Sequence, residues 1–484
     1  MQISDDQSPL EVSAEQLRHD VNRVLDYLTQ HLQTLDSQPA WDLADADASN
    51  VSARETVPTE PGQFDAIIED LFSNRMTPSY NPSCGGYLAY VPGGGLPHAA
   101  VADLISGILN KFVTLWQVAP GFANIEADVI DWFSGIVGFP NTAGGYLTTG
   151  GSMANWSAIV TARRVQLGDQ FLDGVIYTTE QSHHSVMKSA VLAGFPEANV
   201  RLVPTTNLVI DVPALEDQIQ SDREHGARPF LVVANAGTTN TGAVDDLSAI
   251  ARVCNEHNLW LHTDAAYGGF FMLTKRGINR LSGIELSDSI TLDPHKGLFL
   301  PYGTGCLLVK NACHLEQAHK VAAKYLPPFQ EESDRIDFCG ISPELSRDFR
   351  GLRVWLPFKL FGTQTFAAYL DEKLDLCQYV FKQIQALDQI EILAEPTLST
   401  FAFRYRPRDC SPGDELNALN QRFLTEVNRT KRFLLSATYL GAEFTIRICV
   451  LSFRTHQRHI DDCVEEVRRV TRLFNDGTLS DCLQ

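Results

Sequence analysis

FLVVANAGTTNTGAVDDLSAIARVCNEHNLWLHTDAA, residues 230–266, is the stretch on which the fold turns. Residues 230–237, FLVVANAG, form an apolar run closed by glycine and read as a buried strand. Residues 246–258, DLSAIARVCNEHN, put Leu247, Ile250 and Val253 on one face and read as a helix. Residues 259–266, LWLHTDAA, return to a strand pattern. Strand, helix and strand joined by short links make a βαβ unit, which predicts an α/β fold with a mostly parallel sheet covered on both faces. GVIYTTE (174–180) and GCLLVK (305–310) read as further strands of that sheet.

On either side the texture differs. Residues 13–34 read as an amphipathic helix, with Ser13 and Gln16 in a capping-box pattern and Leu17, Val21, Val24, Leu25, Leu28 and Leu32 on one face. Residues 40–63 read as a linker or wrapping arm, and a second helix is expected over 63–74. Past residue 366, STFAFRY and TIRICVLSF alternate as antiparallel strands, and DDCVEEVRRVTRLF closes the chain as a helix. The division expected is therefore 1–85 as an N-terminal helical arm for dimerisation, 86–365 as the large α/β domain, and 366–484 as a small α+β domain.

Composition narrows the function classes. The 484 residues are 44% hydrophobic and 20% charged, enough for a large core, and the net charge of −20 disfavours nucleic acid and anionic membrane as partners. Ten cysteines occur without a CxxC pair, which fits reduced thiols and points to neither a zinc ribbon nor a redox pair. The acidic start, MQISDDQSPLEVSAEQ, does not read as a signal peptide, and no apolar run is long enough to span a membrane. A cytoplasmic protein is expected. No HExxH or GxxxxGK[ST] occurs, so a zinc hydrolase and a P-loop enzyme are disfavoured, and no metal site is expected.

Four features fall where strands of such a sheet would end, the usual place for ligands. TTGGSMAN (148–155) is a glycine-rich turn opening a helix, where the N–H groups of Gly151, Ser152 and Met153 can hold a phosphate. EQSHHSVMKSA (180–190) puts His183 and His184 at a helix entry. HTDAAYGG (262–269) ends an apolar strand on Asp264, a buried carboxylate that calls for a cationic partner. DPHKG (293–297) sets Lys296 among apolar residues. Each has a plain structural reading as a cap, a surface histidine, a salt bridge or a snorkelling lysine. Together they suit pyridoxal phosphate, which needs a lysine for its aldehyde, an acid at its ring nitrogen, a phosphate cradle and a flat group over its ring.

From about residue 80 to 460 the chain resembles the group II pyridoxal-phosphate decarboxylases, which include aromatic L-amino-acid decarboxylases and glutamate decarboxylase. The motifs that carry the resemblance are YLAYVP, EADVIDWF, QSHHSV, AGTTNTGAVDDL, WLHTDAAYGG, DPHKG and FRGLRVW. It implies the aspartate-aminotransferase-like fold (fold type I), with residues 86–365 holding the cofactor and a homodimer with active sites at the interface. Residue by residue, it implies that Lys296 takes the cofactor's aldehyde, Asp264 keeps the ring nitrogen protonated, His183 stacks on the ring and Ala266 lies under it. Gly151, Ser152 and Met153 match the phosphate cradle, and Thr239 and His295 are further cofactor contacts. His184 stands where a serine is common. Relatives often carry Asn at the position of Asp293; an ionised Asp would repel a phosphate, so Asp293 is expected to bond backbone amides or His295 instead.

The resemblance also implies the reaction. Tyr325, in AAKYLPPFQ, matches a loop tyrosine that protonates the carbanion left by carbon dioxide. Tyr90, Pro92, Phe112 and Tyr302 would surround the substrate side chain, favouring an aromatic one, and Ser346 leans toward phenolic substrates. Gly93, Gly94 and Gly95, standing where relatives are bulkier, would enlarge or loosen that pocket. The expected activity is decarboxylation of an aromatic L-amino acid to the amine. Alternatives are an aldehyde synthase or a decarboxylase of glutamate, aspartate or cysteine sulfinate. A non-catalytic scaffold would have lost the lysine, the aspartate or the tyrosine, and all three are present.

Overall fold

The structure is a computed structural model and describes residues 10–43, 54–76, 78–320, 335–408 and 410–476. The βαβ unit is present. Arg228–Asn235 and Trp260–Asp264 are parallel strands, and the helix Leu247–His257 joins them. Asp246 starts that helix by accepting from the Ala249 N–H, and Asn258 ends it in the left-handed region at φ 53°.

The sheet has seven strands: β1 Gly144–Thr148, β2 Gly174–Thr178, β3 Val200–Leu202, β4 Arg228–Asn235, β5 Trp260–Asp264, β6 Ser289–Leu292 and β7 Gly305–Val309. Their order is β1-β7-β6-β5-β4-β2-β3. The pairings from β6 through β5, β4 and β2 to β3 are parallel. β7 runs antiparallel to both of its neighbours, β6 and β1. Both faces are buried, as the continuous apolar runs predict. Along β4, Val232 and Ala234 enter one core cluster, with Phe133, Tyr177 and Ile290, while Leu231 and Val233 enter another, with Ala154, Ala158 and Trp260.

A second sheet, of β8 Ile390–Ala394, β9 Thr400–Tyr405, β10 Ser436–Leu440 and β11 Glu443–Cys449, is antiparallel throughout in the order β8-β9-β11-β10. Phe401, Phe403, Ile446 and Ile448 from it pack with Phe423 and Val427 of the helix Asp414–Asn428 and with Val464 and Val467 of the closing helix Gln457–Asn475. The long helix Gly351–Gln385 serves both cores and breaks at Gly362, whose φ of 68° is left-handed. Before the break Val354 and Phe358 join the first core; after it Cys377, Val380 and Ile384 join the second.

At the N-terminus the helix runs Ala14–Thr34 and Ser13 accepts from the Gln16 N–H. The reciprocal half of the predicted capping box is absent, because the Gln16 side chain reaches Asp20 instead. No residue of this helix is buried, and Leu17, Leu25, Leu28 and Leu32 lie open. The second predicted helix is Phe64–Asp70, continued by a π turn at Leu71–Arg75. The helix Pro97–Leu109 likewise exposes Val101, Leu104, Ile105, Ile108 and Leu109.

Candidate active site

The carboxyl ends of β1, β4, β5 and β6 meet at a cavity of about 300 Å³, within the usual range for small-molecule sites. Gly151, Ser152, Met153, His183, Thr239, Asp264, Ala266, His295 and Lys296 all line it. The sequence spreads these residues over 146 positions, from 151 to 296. The sheet gathers them because successive parallel strands all end on one side.

Beyond β1 the chain turns through Gly150 into the helix Gly151–Gln166. A Cβ on Gly305 of β7 would stand 2.5 Å from the Gly150 carbonyl carbon, so glycine lets two backbones touch there. Gly151 and Ser152 open the helix, where N–H groups lack an intrahelical acceptor. Met153 differs from expectation: its N–H is already given to the Gly150 carbonyl at 3.0 Å.

Asp264 ends β5 and is buried. The expected cationic partner is not a side chain. Oδ1 accepts from the Ala266 N–H at 3.1 Å and Oδ2 from Asn155 Nδ2 at 2.9 Å, both neutral donors. Asn155 is a hub that sequence reasoning missed. Its amide also donates to Ser185 Oγ at 3.0 Å, and its oxygen faces His262 Nε2 at 3.0 Å. Ser289 Oγ receives the indole N–H of Trp260 and stands 2.8 Å from His262 Nδ1, which puts the ring proton on Nε2. Burial pulls the His262 pKa down to about 4, so the ring is neutral. His183 Nδ1 accepts from the Ser185 N–H and lies 2.7 Å from Ser185 Oγ, leaving Nε2 as the protonated nitrogen of its neutral ring. One asparagine thus ties the acid to the histidine. Its only trace in the sequence is a polar residue closing TTGGSMAN before an alanine-rich helix face.

Lys296 lies in the helical turn Pro294–Gly297 after β6. Its side chain is 21% exposed, so it neither snorkels to the surface nor stands unpaired. Nζ is 2.9 Å from Asp293 Oδ2. Burial alone would lower the lysine pKa, but the charge and hydrogen bond of Asp293, with the charge of Asp264, outweigh it and the net shift is upward. Asp293 therefore pairs with the lysine. The expected bonds to backbone amides are absent, and His295 Nε2 is farther away, at 3.7 Å.

The expected substrate residues are not brought to the cavity wall. Tyr90, Phe112 and Tyr302 are 56%, 39% and 60% exposed, Ser346 is exposed and Pro92 is buried; none lines the cavity. The Tyr302 ring lies 5.6 Å from that of His295. Tyr325 lies outside the described residues. The glycine run has a cause other than pocket size. A Cβ on Gly93 would sit 2.1 Å from the His295 carbonyl oxygen, and Gly94 and Gly95 have φ of 93° and 68°. Leu96 then donates to the Phe299 carbonyl at 2.7 Å. The glycines let this strap lie against the lysine turn.

These groups fit a phosphorylated aldehyde cofactor. There is an ammonium for the aldehyde, a buried acid whose side-chain partners are neutral, and a helix start too tight for a Cβ, where Gly151 would meet Asp293 Oδ2 at 2.9 Å. Among the described residues no group of three His, Cys, Asp or Glu side chains is arranged to hold a metal ion.

Comparison with known proteins gives a consistent answer. The pyridoxal-dependent decarboxylase conserved domain matches residues 49–406. An aromatic-L-amino-acid decarboxylase from Bacillus atrophaeus is 35% identical over 453 residues, covering 92% of this chain and 93% of that protein. The crystal structure of Catharanthus roseus tryptophan decarboxylase in complex with L-tryptophan superposes with a TM-score of 0.88 at 25% identity, covering 96% of this chain and 99% of the other. That of Oryza sativa TDC with PLP and tryptamine superposes with a TM-score of 0.90 at 23% identity, with the same coverage. The architecture is that of the fold type I pyridoxal-phosphate enzymes.

Proposed function

The chain belongs to the pyridoxal-dependent decarboxylase family, and from that premise we propose that it converts an aromatic L-amino acid, phenolic rather than indolic, to its amine and carbon dioxide. The observation that carries this reading is the convergence of Lys296, Asp264 and the Gly151–Ser152 helix start on one cavity. When bound, pyridoxal phosphate supplies an electron sink for the pair left on the α-carbon as carbon dioxide departs. The residues do the rest. Lys296 would hold the aldehyde end. Asp264, fixed by Asn155 and Ala266, holds a proton on the ring nitrogen. His183 would cover one face of the ring and Ala266 the other. Gly151 and Ser152 N–H groups hold the phosphate, while Met153, Thr239 and His295 complete the wall. Tyr325 delivers a proton to the α-carbon.

The substrate assignment draws on the similarity to the Bacillus enzyme and on the aromatics Tyr90, Phe112 and Tyr302; Ser346 favours a phenolic ring. These residues and Pro92 would enclose a side chain only if another surface covers them. A homodimer supplies that surface, and two uncovered apolar helix faces, on Ala14–Thr34 and Pro97–Leu109, suit it. In this reading residues 1–85 are the dimerisation arm, 86–365 hold the cofactor and 366–484 form the small domain. We place the protein in the cytoplasm, where nine free cysteines among the described residues, seven of them buried, would stay reduced. No helix among the described residues is long and apolar enough to cross a membrane.

The test is a panel of L-tyrosine, L-tryptophan, L-glutamate and L-cysteine sulfinate with the holoprotein, following amine, carbon dioxide, aldehyde and peroxide. Amine and carbon dioxide in equal amounts from L-tyrosine are expected. Turnover of the acidic substrates alone would overturn the aromatic assignment, and aldehyde with peroxide would assign the oxidative reaction.

A further inference from the structure

Two stretches that supply no wall of the cavity meet behind its cradle. Glu126 opens EADVIDWF and lies on the helix Pro120–Val137. Arg350 stands in FRGLRVW, just ahead of the helix Gly351–Gln385, and Arg347 lies in the segment leading to it. Gly351 lets the two stretches touch, since a Cβ there would stand 3.0 Å from the Glu126 Cα. The side chains of Glu126 and Arg347 are wholly buried, and Arg347 Nη1 lies 2.8 Å from Glu126 Oε1.

What this pair holds is the end of β1. That strand closes the sheet order and pairs with β7 on one side, so its other edge has no strand to satisfy it. At Leu147 side chains do so instead. The Leu147 N–H donates to Glu126 Oε1 at 3.1 Å, and the Leu147 carbonyl accepts from Arg347 Nη2 at 2.6 Å. An acid and an arginine thus supply the acceptor and the donor that a neighbouring strand would. Arg350 gives its fork to Glu344 and reaches the same carbonyl at 3.3 Å. The next residue, Thr148, closes on Gly150: its hydroxyl donates to the Gly150 carbonyl at 3.0 Å and accepts from the Gly150 N–H at 3.3 Å. From Gly150 the chain enters the Gly151–Ser152 helix start. The cradle is therefore held from both edges of one strand, by Gly305 of β7 packed against Gly150 and by the Glu126–Arg347 pair.

A buried ion pair is a weak stabiliser, because both charges leave water. Bonded to the backbone, this one does something an apolar pair cannot: it fixes where the strand ends. We infer that Glu126 and Arg347 are positioning residues for the phosphate cradle, holding the end of β1 so that the Gly151 and Ser152 N–H groups meet the cofactor phosphate together. Neither lines the cavity, so both act through the strand. The inference rests on the assignment of the Gly151–Ser152 turn to the phosphate.

The experiment compares pyridoxal phosphate with unphosphorylated pyridoxal, each titrated into full-length cofactor-free protein and followed by visible absorption. The quantity read is the ratio of the two affinities. A loosened cradle weakens the hold on the phosphate and leaves the aldehyde end at Lys296 alone, whereas general damage to the fold weakens both ligands. The variant is Glu126→Leu with Arg347→Met, with a thermal melt to confirm folding. Its ratio should fall about tenfold, the loss of one hydrogen bond to a charged group, while its affinity for pyridoxal stays within about twofold of the wild type. A wild-type ratio in the folded double variant, or equal losses for the two ligands, would overturn the proposal. If that variant does not fold, Arg347→Lys takes its place, because it keeps the charge and loses the planar fork. Its ratio should fall by about threefold or more, and an unchanged ratio would overturn the proposal. A wild type that binds both ligands equally would defeat the phosphate turn itself, and the positioning role with it.

Discussion

Replacing Asn155 by alanine removes three hydrogen bonds from one buried point: to Asp264 Oδ2, to Ser185 Oγ and from His262. A hydrogen bond to a charged group contributes about 1.5–3 kcal/mol and a neutral one about 1 kcal/mol, so the loss totals about 3.5–5 kcal/mol. Asp264 keeps only the Ala266 N–H, and its carboxylate is free to rotate away from the direction the ring nitrogen needs. The share of that loss borne by Asp264, about 1.5–3 kcal/mol, corresponds to about 10- to 100-fold weaker cofactor binding. The assay is a spectrophotometric titration of pyridoxal phosphate into cofactor-free protein, with a thermal melt to confirm folding. Ser185→Ala is the control, because it removes the hydroxyl beside His183 Nδ1 while leaving both Asp264 bonds intact. A folded Asn155→Ala protein whose cofactor affinity stays within about twofold of the wild type, a difference under about 0.5 kcal/mol, would refute the idea that this network orients the acid.

Gly93→Ala drives a Cβ to 2.1 Å from the His295 carbonyl; the strap must lift, costing about 1–3 kcal/mol, read as a lower melting temperature and weaker cofactor binding. His262 is fully buried with its pKa lowered to about 4. The unfolded state therefore binds the extra proton first, so this stability is fully present above about pH 6.5 and is lost as pH falls toward 4, up to about 3 kcal/mol. His262→Asn should flatten the fall in melting temperature over that range. Leu28→Asp with Ile108→Asp, on the two open helix faces, should yield monomers by sedimentation with little amine production; an active dimer would remove those faces from the interface. Tyr325→Phe should cut amine formation and release aldehyde with peroxide; unchanged amine output would take Tyr325 out of the chemistry.

The sequence made some of this legible and hid the rest for physical reasons. The βαβ unit could be read because apolar period and end signals agree: Asp246 caps its helix and Asn258 ends it. The reversal of β7 is not written in GCLLVK, since an apolar run carries no direction. Its cue lies in the link from Leu292 to Gly305, which holds one helical turn and lacks the covering helix of a parallel crossover. The nine cavity residues sit in short motifs at strand ends and could be named. Asn155 could not, because its bond to Asp264 joins positions 109 apart and depends on side-chain direction. Gly93 illustrates the opposite error. A missing side chain suggests an empty pocket, yet here a carbonyl occupies the space. Tyr90, Phe112 and Ser346 stay on the surface of a single chain, where no local pattern can say what covers them.

The central claim is that Lys296 carries the cofactor, and reductive trapping tests it most directly. The holoprotein is treated with borohydride, digested, and its peptides sequenced by mass spectrometry. The mass of the reduced phosphopyridoxyl group should sit on Lys296 in DPHKG, and Lys296→Ala should abolish both the label and the visible absorption. A label on another lysine, or undiminished labelling in Lys296→Ala, would contradict the assignment.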